Sequence, residues 1–183
     1  MRLGKMQGML ESLLKRHGKV TQRTLARPSW SDIENAGFDV MATNVYRALG
    51  GTLDIPPSRL GSWDIEFDGI ALELDEHLHF NRYRASTLAS PIYDRLQGFP
   101  RQTYIEYCSL YEEQCLRVGS YGGKWTNPSC ENQFGIASES GNLNGAGAPR
   151  WKQRAFYDFV KDLSPLVLGI RTARISIWDR LPD

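Results

Sequence analysis

The stretch WDIEFDGIALELDEHLHFNRYR, Trp63 to Arg84, constrains the fold more than any other part of the chain. Asp68-Gly69 between apolar neighbours is a strong signal for a two-residue β-turn. The flanking segments, Ser62 to Phe67 and Ile70 to Leu78, read as the two strands of a hairpin. With Asp68 and Gly69 as turn residues, Phe67 faces Ile70, Glu66 faces Ala71, Ile65 faces Leu72 and Asp64 faces Glu73. Side chains alternate along a strand, so Glu73 and Asp75 point the same way. Asp64 then lies opposite Glu73, with Cβ atoms ~5 Å apart.

The hairpin segment holds six carboxylates, two histidines and two arginines. Strands that build a core are normally depleted of acids. Two readings account for them. Converging carboxylates repel, and a divalent cation removes the repulsion; oxygen ligands suit Mg²⁺ or Mn²⁺. Alternatively, the acids line the wet face of an antiparallel sheet.

The rest of the chain supplies helices and one further strand pair. Residues 3–17 read as an amphipathic helix with Leu3, Met6, Met9, Leu10, Leu13 and Leu14 on one side, fit to pack on the domain or on a partner, or else to serve as a membrane-surface or targeting helix. Residues 19–38 read as irregular. Val40 to Leu49 is a helix stopped by Gly50-Gly51, and Thr52 to Ile55 a short strand. Gln102 to Val118 is helical, residues 119–149 form a long Gly/Asn/Ser-rich loop, and Pro149 opens the helix RWKQRAFYDFVKDL. Ala173 to Trp178 alternates as a strand. The order is that of an α+β domain, a mixed sheet with helices packed on it.

A chain of 183 residues suits one domain. A net charge of +1 announces no global affinity for nucleic acid, which would need a local basic face. No apolar run reaches the ~20 residues that span a bilayer, and the charged N-terminus has no secretory signature. Three cysteines fit a reducing, cytoplasmic setting. Cys108 and Cys115 can share a helix face, but zinc wants closer pairs and more ligands. No phosphate-loop spacing or nucleophile elbow is present, which argues against nucleotide-triphosphate and acyl-transfer chemistry.

Asp64 followed by Glu73-Leu74-Asp75 on the next strand resembles the PD-(D/E)xK nuclease superfamily. Gln153-x-x-x-Tyr157 is similar to the Gln-x-x-x-Tyr motif of its RecB-type members. ELDEHLHF, with His79, resembles a segment of small endonuclease-like domains related to very-short-patch repair enzymes. Asp75 stands where the superfamily usually carries lysine. The resemblance implies a restriction-endonuclease-like αβββαβ core at 39–80 and 149–183, with an N-terminal helical extension at 1–38 and an insertion at 81–148. It implies a metal-dependent endonuclease acting on DNA more than RNA, in repair, restriction or phage defence. Asp64, Glu73 and Asp75 would hold Mg²⁺ or Mn²⁺, His79 or Lys152 would assist water or the phosphate, and Gln153 and Tyr157 would position the strand. The absent lysine leaves open an inactive nuclease-like module that binds nucleic acid or a partner protein. The N-terminal helix could join a homodimer or a larger complex.

Further residues fit a nucleic-acid strand and fit structural roles equally well. Arg82 and Arg84 can hold phosphates or pair with the neighbouring acids. Lys124 and Trp125 suit contact with a backbone and a stacked base, or a structured loop. Arg150, Lys152 and Arg154 could supply a basic stripe, or a solvated helix face.

Overall fold

A computed structural model of the chain describes residues 5–21 and 24–179. The element order is α1 (Lys5–Leu14), β1 (Val20–Thr21), α2 (Trp30–Asn35), α3 (Asp39–Ala48), β2 (Ile65–Phe67), β3 (Ile70–Asp75), α4 (Arg82–Leu88), α5 (Arg101–Gly119), α6 (Pro128–Phe134), α7 (Pro149–Asp162), α8 (Ser164–Val167) and β4 (Thr172–Ser176). The strands form one mixed sheet in the order β1-β2-β3-β4. The first three are antiparallel, and β4 runs parallel to β3 after a helical crossover.

The hairpin register is the one its turn residues dictate: Ile65 pairs with Leu72, Glu66 with Ala71 and Phe67 with Ile70. Both turn residues have positive φ, 47° at Asp68 and 74° at Gly69. A tight turn whose twist matches the strands requires that geometry. Asp68 also fastens the turn to β1, accepting from the Lys19 amide at 2.8 Å.

Helix α7 organises the core. Pro149 at its first turn costs no hydrogen bond. Trp151, Ala155, Phe156, Phe159 and Val160 are all buried. Polar residues on the remaining flank, Asp158, Lys161 and Asp162, are buried as well. A helix enclosed nearly all round can carry charges only where partners meet them. One apolar cluster joins α7 to Tyr46 of α3, Leu88 of α4, Tyr104 and Cys108 of α5 and Phe134 of α6. Trp125 and Trp151 centre a smaller cluster with Cys115 and Ala148.

Several boundaries differ from those expected. Within 3–17, helix α1 spans Lys5–Leu14, and residues 3 and 4 lie outside the described residues. The edge strand is Val20–Thr21 and not Thr52–Ile55. The latter segment's amides are taken elsewhere: Thr52 donates to the Gln133 carbonyl and Leu53 to the Tyr46 hydroxyl. Strand β3 ends at Asp75, and His77–His79 turn as a 3₁₀ segment, so the two histidines do not continue the strand. The 119–149 stretch contains α6, capped by Asn127. Residues 81–148, expected as an insertion, supply much of the main core. The three cysteines are buried and unpaired. Among the described residues they enter no group able to hold a metal.

Phe156 is fully buried, 5.1 Å from the ring of Tyr46. Phe156→Ala should cost about 3–5 kcal/mol of stability, read as a lowered urea midpoint with an unchanged slope.

Candidate functional site

Most of the hairpin acids meet protein donors. The Asp64 carboxylate accepts from the Leu74 amide at 2.9 Å. Glu66 is buried and accepts from the Leu25 amide and the hydroxyl of Thr24. Asp68 caps the turn. Glu73 accepts from Lys161 Nζ at 2.7 Å. Asp75 accepts from the Tyr104 hydroxyl at 2.9 Å and from Arg174 at 2.7 and 3.0 Å.

Arg174 is the centre of this arrangement. Its register position on β4 is beside Glu73, and its side chain is 3% exposed. The guanidinium contacts Asp75, reaches Asp162 at 2.6 Å, and donates to the Asp158 carbonyl at 3.0 Å. Arg84 of α4 meets the other oxygen of Asp162 at 2.7 Å, beside the Tyr93 hydroxyl. His79 Nδ1 lies 2.8 Å from Asp158 and 3.2 Å from Asp75. Four buried acids (Glu73, Asp75, Asp158 and Asp162) thus face Lys161, Arg174, Arg84 and His79.

The protonation states follow from these contacts. Burial alone would lower the pKa of His79, but the charges of Asp158 and Asp75 outweigh it and hold the imidazole above its ordinary value. Burial works against the Asp158 carboxylate, yet His79 and Arg174 keep it well below the usual range. Burial pushes Glu73 up to about 7, against the pull of Lys161 and Arg174.

The expected metal triad does not form. Asp64, Glu73 and Asp75 are not among the groups able to share an ion. Lys161 and Arg174 stand where the cation would, so these residues do not fit Mg²⁺ or Mn²⁺. Among the described residues, Asp75, His79 and Asp158 alone can offer ligand atoms within 4.8 Å of one another. That set is one nitrogen and two oxygens, and not specific for either ion.

Other expected residues scatter. Lys152 lies on another flank of α7, its Nζ 5.5 Å from the Tyr83 ring, and Lys161 takes the place beside the acids. Arg84 is sealed in the core and Trp125 is buried against Trp151, its indole donating to the Ser138 carbonyl, so neither can touch a nucleic-acid strand. Arg82 holds Glu112 in a forked ion pair. Gln153 accepts from Arg150, and Tyr157 packs against the main core cluster. Lys124 donates to the Val118 carbonyl and the Tyr121 hydroxyl.

Asp64, His79 and Lys124 do meet along one cleft of about 660 Å³, at the C-terminal end of β3. Its walls come from α1, the 77–79 turn, α5 and α7. His79 is therefore at once a wall of the cleft and the outermost member of the buried charge cluster. Arg154, read from the sequence as part of a basic stripe, lines the same cleft, as does Arg117; Arg117 was not singled out from the sequence, nor were Asp158, Lys161, Asp162 and Arg174. The signal for the α7 set was Arg154, Asp158, Lys161 and Asp162 at helical spacing.

The chain belongs to a family of unknown function (DUF7255), which matches residues 44–183. No curated protein and no solved structure matches it. The matched region includes the hairpin, α4 to α8 and β4, hence every member of the buried charge cluster. Among the described residues, no helix is long and apolar enough to cross a membrane.

Arg174→Met should destabilise the fold by about 3–5 kcal/mol in urea denaturation, because three carboxylates lose their shared cation. His79→Gln should reveal a pH signature. A histidine with a raised folded pKa gives stability that is full below its unfolded value of 6.5 and lost as pH rises through the folded value. The stability gap between wild type and His79→Gln should therefore be widest in acid and should close as pH rises through the folded value.

Proposed function

We propose that this family member is a nuclease-like hydrolase of phosphodiester bonds, acting on DNA before RNA, on a restriction-endonuclease-like core. The carrying observation is His79, held by buried Asp158 and lining a cleft that also presents Asp64, Lys124, Arg117 and Arg154. The order helix, strand, hairpin, helix, strand, with the last strand parallel to the third, supports the fold reading. In place of the expected first members, α1 and β1 open that order.

His79 keeps a proton because Asp158 and Asp75 stabilise the imidazolium. It serves as the acid that protonates the leaving oxygen. Asp158 fixes the ring through Nδ1, much as a buried carboxylate orients a catalytic imidazole elsewhere. Asp64, held at one oxygen by the Leu74 amide, takes the proton from the attacking water. Lys124 and Arg117 offset the charge of the phosphodiester. No step runs through the expected Mg²⁺ or Mn²⁺; Asp75, His79 and Asp158 would hold an ion only with His79 deprotonated, which its role as acid excludes.

The inactive module is the second reading, favoured by the saturation of Glu73 and Asp75 by fixed cations. In either reading α1, with Met9 63% and Leu13 42% exposed, is the surface for a second copy or a larger complex.

The test is cleavage of plasmid, single-stranded DNA and RNA, with Mg²⁺, with Mn²⁺ and with chelator. His79→Gln should lower the rate about 100-fold or more, and Asp64→Asn, which can still accept from Leu74, should do likewise. Wild-type activity should fall as pH rises through the folded pKa of His79. Binding of these substrates with no cleavage under any condition would establish the inactive module instead.

A further inference from the structure

Arg154 carries more positive charge into the cleft than the fold can use. Lys161, Arg174, Arg84 and His79 already contact the four buried acids. Arg154 makes no ion pair or hydrogen bond among the described residues, and its Nη1 is buried without a partner. Burial holds its pKa below the ordinary arginine value, while Asp158 and Asp75 pull the other way from a distance. Arg154 is half-buried, and a guanidinium nitrogen buried without an acceptor carries a desolvation cost that a bound anion would remove.

Other features of the cleft agree. His77 lines it, and its Nδ1 is likewise buried without a hydrogen-bond partner. Lys124 and Arg117 add charge at the wall. Convergence of several cationic or donor groups suits a dianion better than a carboxylate. Leu78, Val118 and Ile177 give apolar surface beside it, enough for a base or a sugar. A terminal phosphoryl group carries up to two negative charges where an internal phosphodiester carries one, so this cationic wall favours a strand end over an internal linkage.

We propose that Arg154 and His77, with Lys124 and Arg117, form a binding site for a phosphate monoester, the phosphorylated end of a nucleic-acid strand or a mononucleotide. The site shares Lys124 and Arg117 with the hydrolytic reading but is tested apart from it, since binding is measured without turnover.

Calorimetry on the full chain compares four probes: a 5′-phosphorylated oligonucleotide, the same oligonucleotide with a 5′-hydroxyl, a mononucleotide 5′-phosphate and inorganic phosphate. The phosphorylated oligonucleotide should bind at least about tenfold tighter than its hydroxyl twin, and inorganic phosphate should compete. Comparable affinity of the mononucleotide would identify free nucleotide as the ligand, and its failure would identify the strand end. Arg154→Met should weaken binding about 10- to 100-fold with the fold retained. Arg117→Gln, at an exposed position, should weaken binding several-fold with the fold intact. Equal binding of the two oligonucleotides, or unchanged binding in both variants, would overturn the proposal.

Discussion

One guanidinium holds the molecule together. Arg174, delivered by the last strand, touches acids from β3 and from α7, so sheet and central helix share a single cation. Neither surface could be closed without it. The carboxylates of Asp75, Asp158 and Asp162 would repel one another in a medium of low dielectric constant, and none has room to turn to water. Arg84 and His79 complete the neutralisation from the side of α4 and the 77–79 turn. The polar flank of α7 is thus a consequence of what stands opposite it, as the aromatic flank is of Tyr46 and Phe134.

That arrangement also answers why the hairpin is so acidic. Its carboxylates serve different purposes: Glu66 ties down the chain at Thr24 and Leu25, Asp68 caps a turn, Asp64 accepts from β3, and Glu73 and Asp75 receive side-chain cations. The choice between a metal and a wet face was therefore incomplete. Fixed cations supplied by distant parts of the chain are a third solution, and they place the candidate chemistry at His79, on the border between this cluster and the cleft.

The hairpin was legible because its signals are local. Asp68-Gly69 fixes the turn, and alternation fixes the register. Helices α3, α5 and α7 were legible from their periodicity and from the Gly and Pro residues that bound them. The edge strand was not, because two residues carry no pattern, and Val20–Thr21 is a strand only by virtue of β2 beside it. The partners of the acids were hidden for the same reason. Nothing near Asp75 in sequence announces Arg174, and Lys152 looked as good as Lys161 until the phase of α7 decided which faced the sheet. Trp125 and Arg84 read as surface groups because burial of a residue in a Gly-rich or Arg-rich segment is decided by its neighbours in space.

The charged contacts span long stretches of chain: 99 residues from Asp75 to Arg174, 88 from Glu73 to Lys161, 78 from Arg84 to Asp162. A hairpin formed early therefore has acids with no nearby counter-charge, and it must keep them in water. Docking α7 without β4 would bury carboxylates lacking their cation, and docking β4 without α7 would strand the cation. Partial structures are penalised whichever element arrives first. The network trades folding speed, which long loop closures slow, for a native state that forms as a whole or not at all.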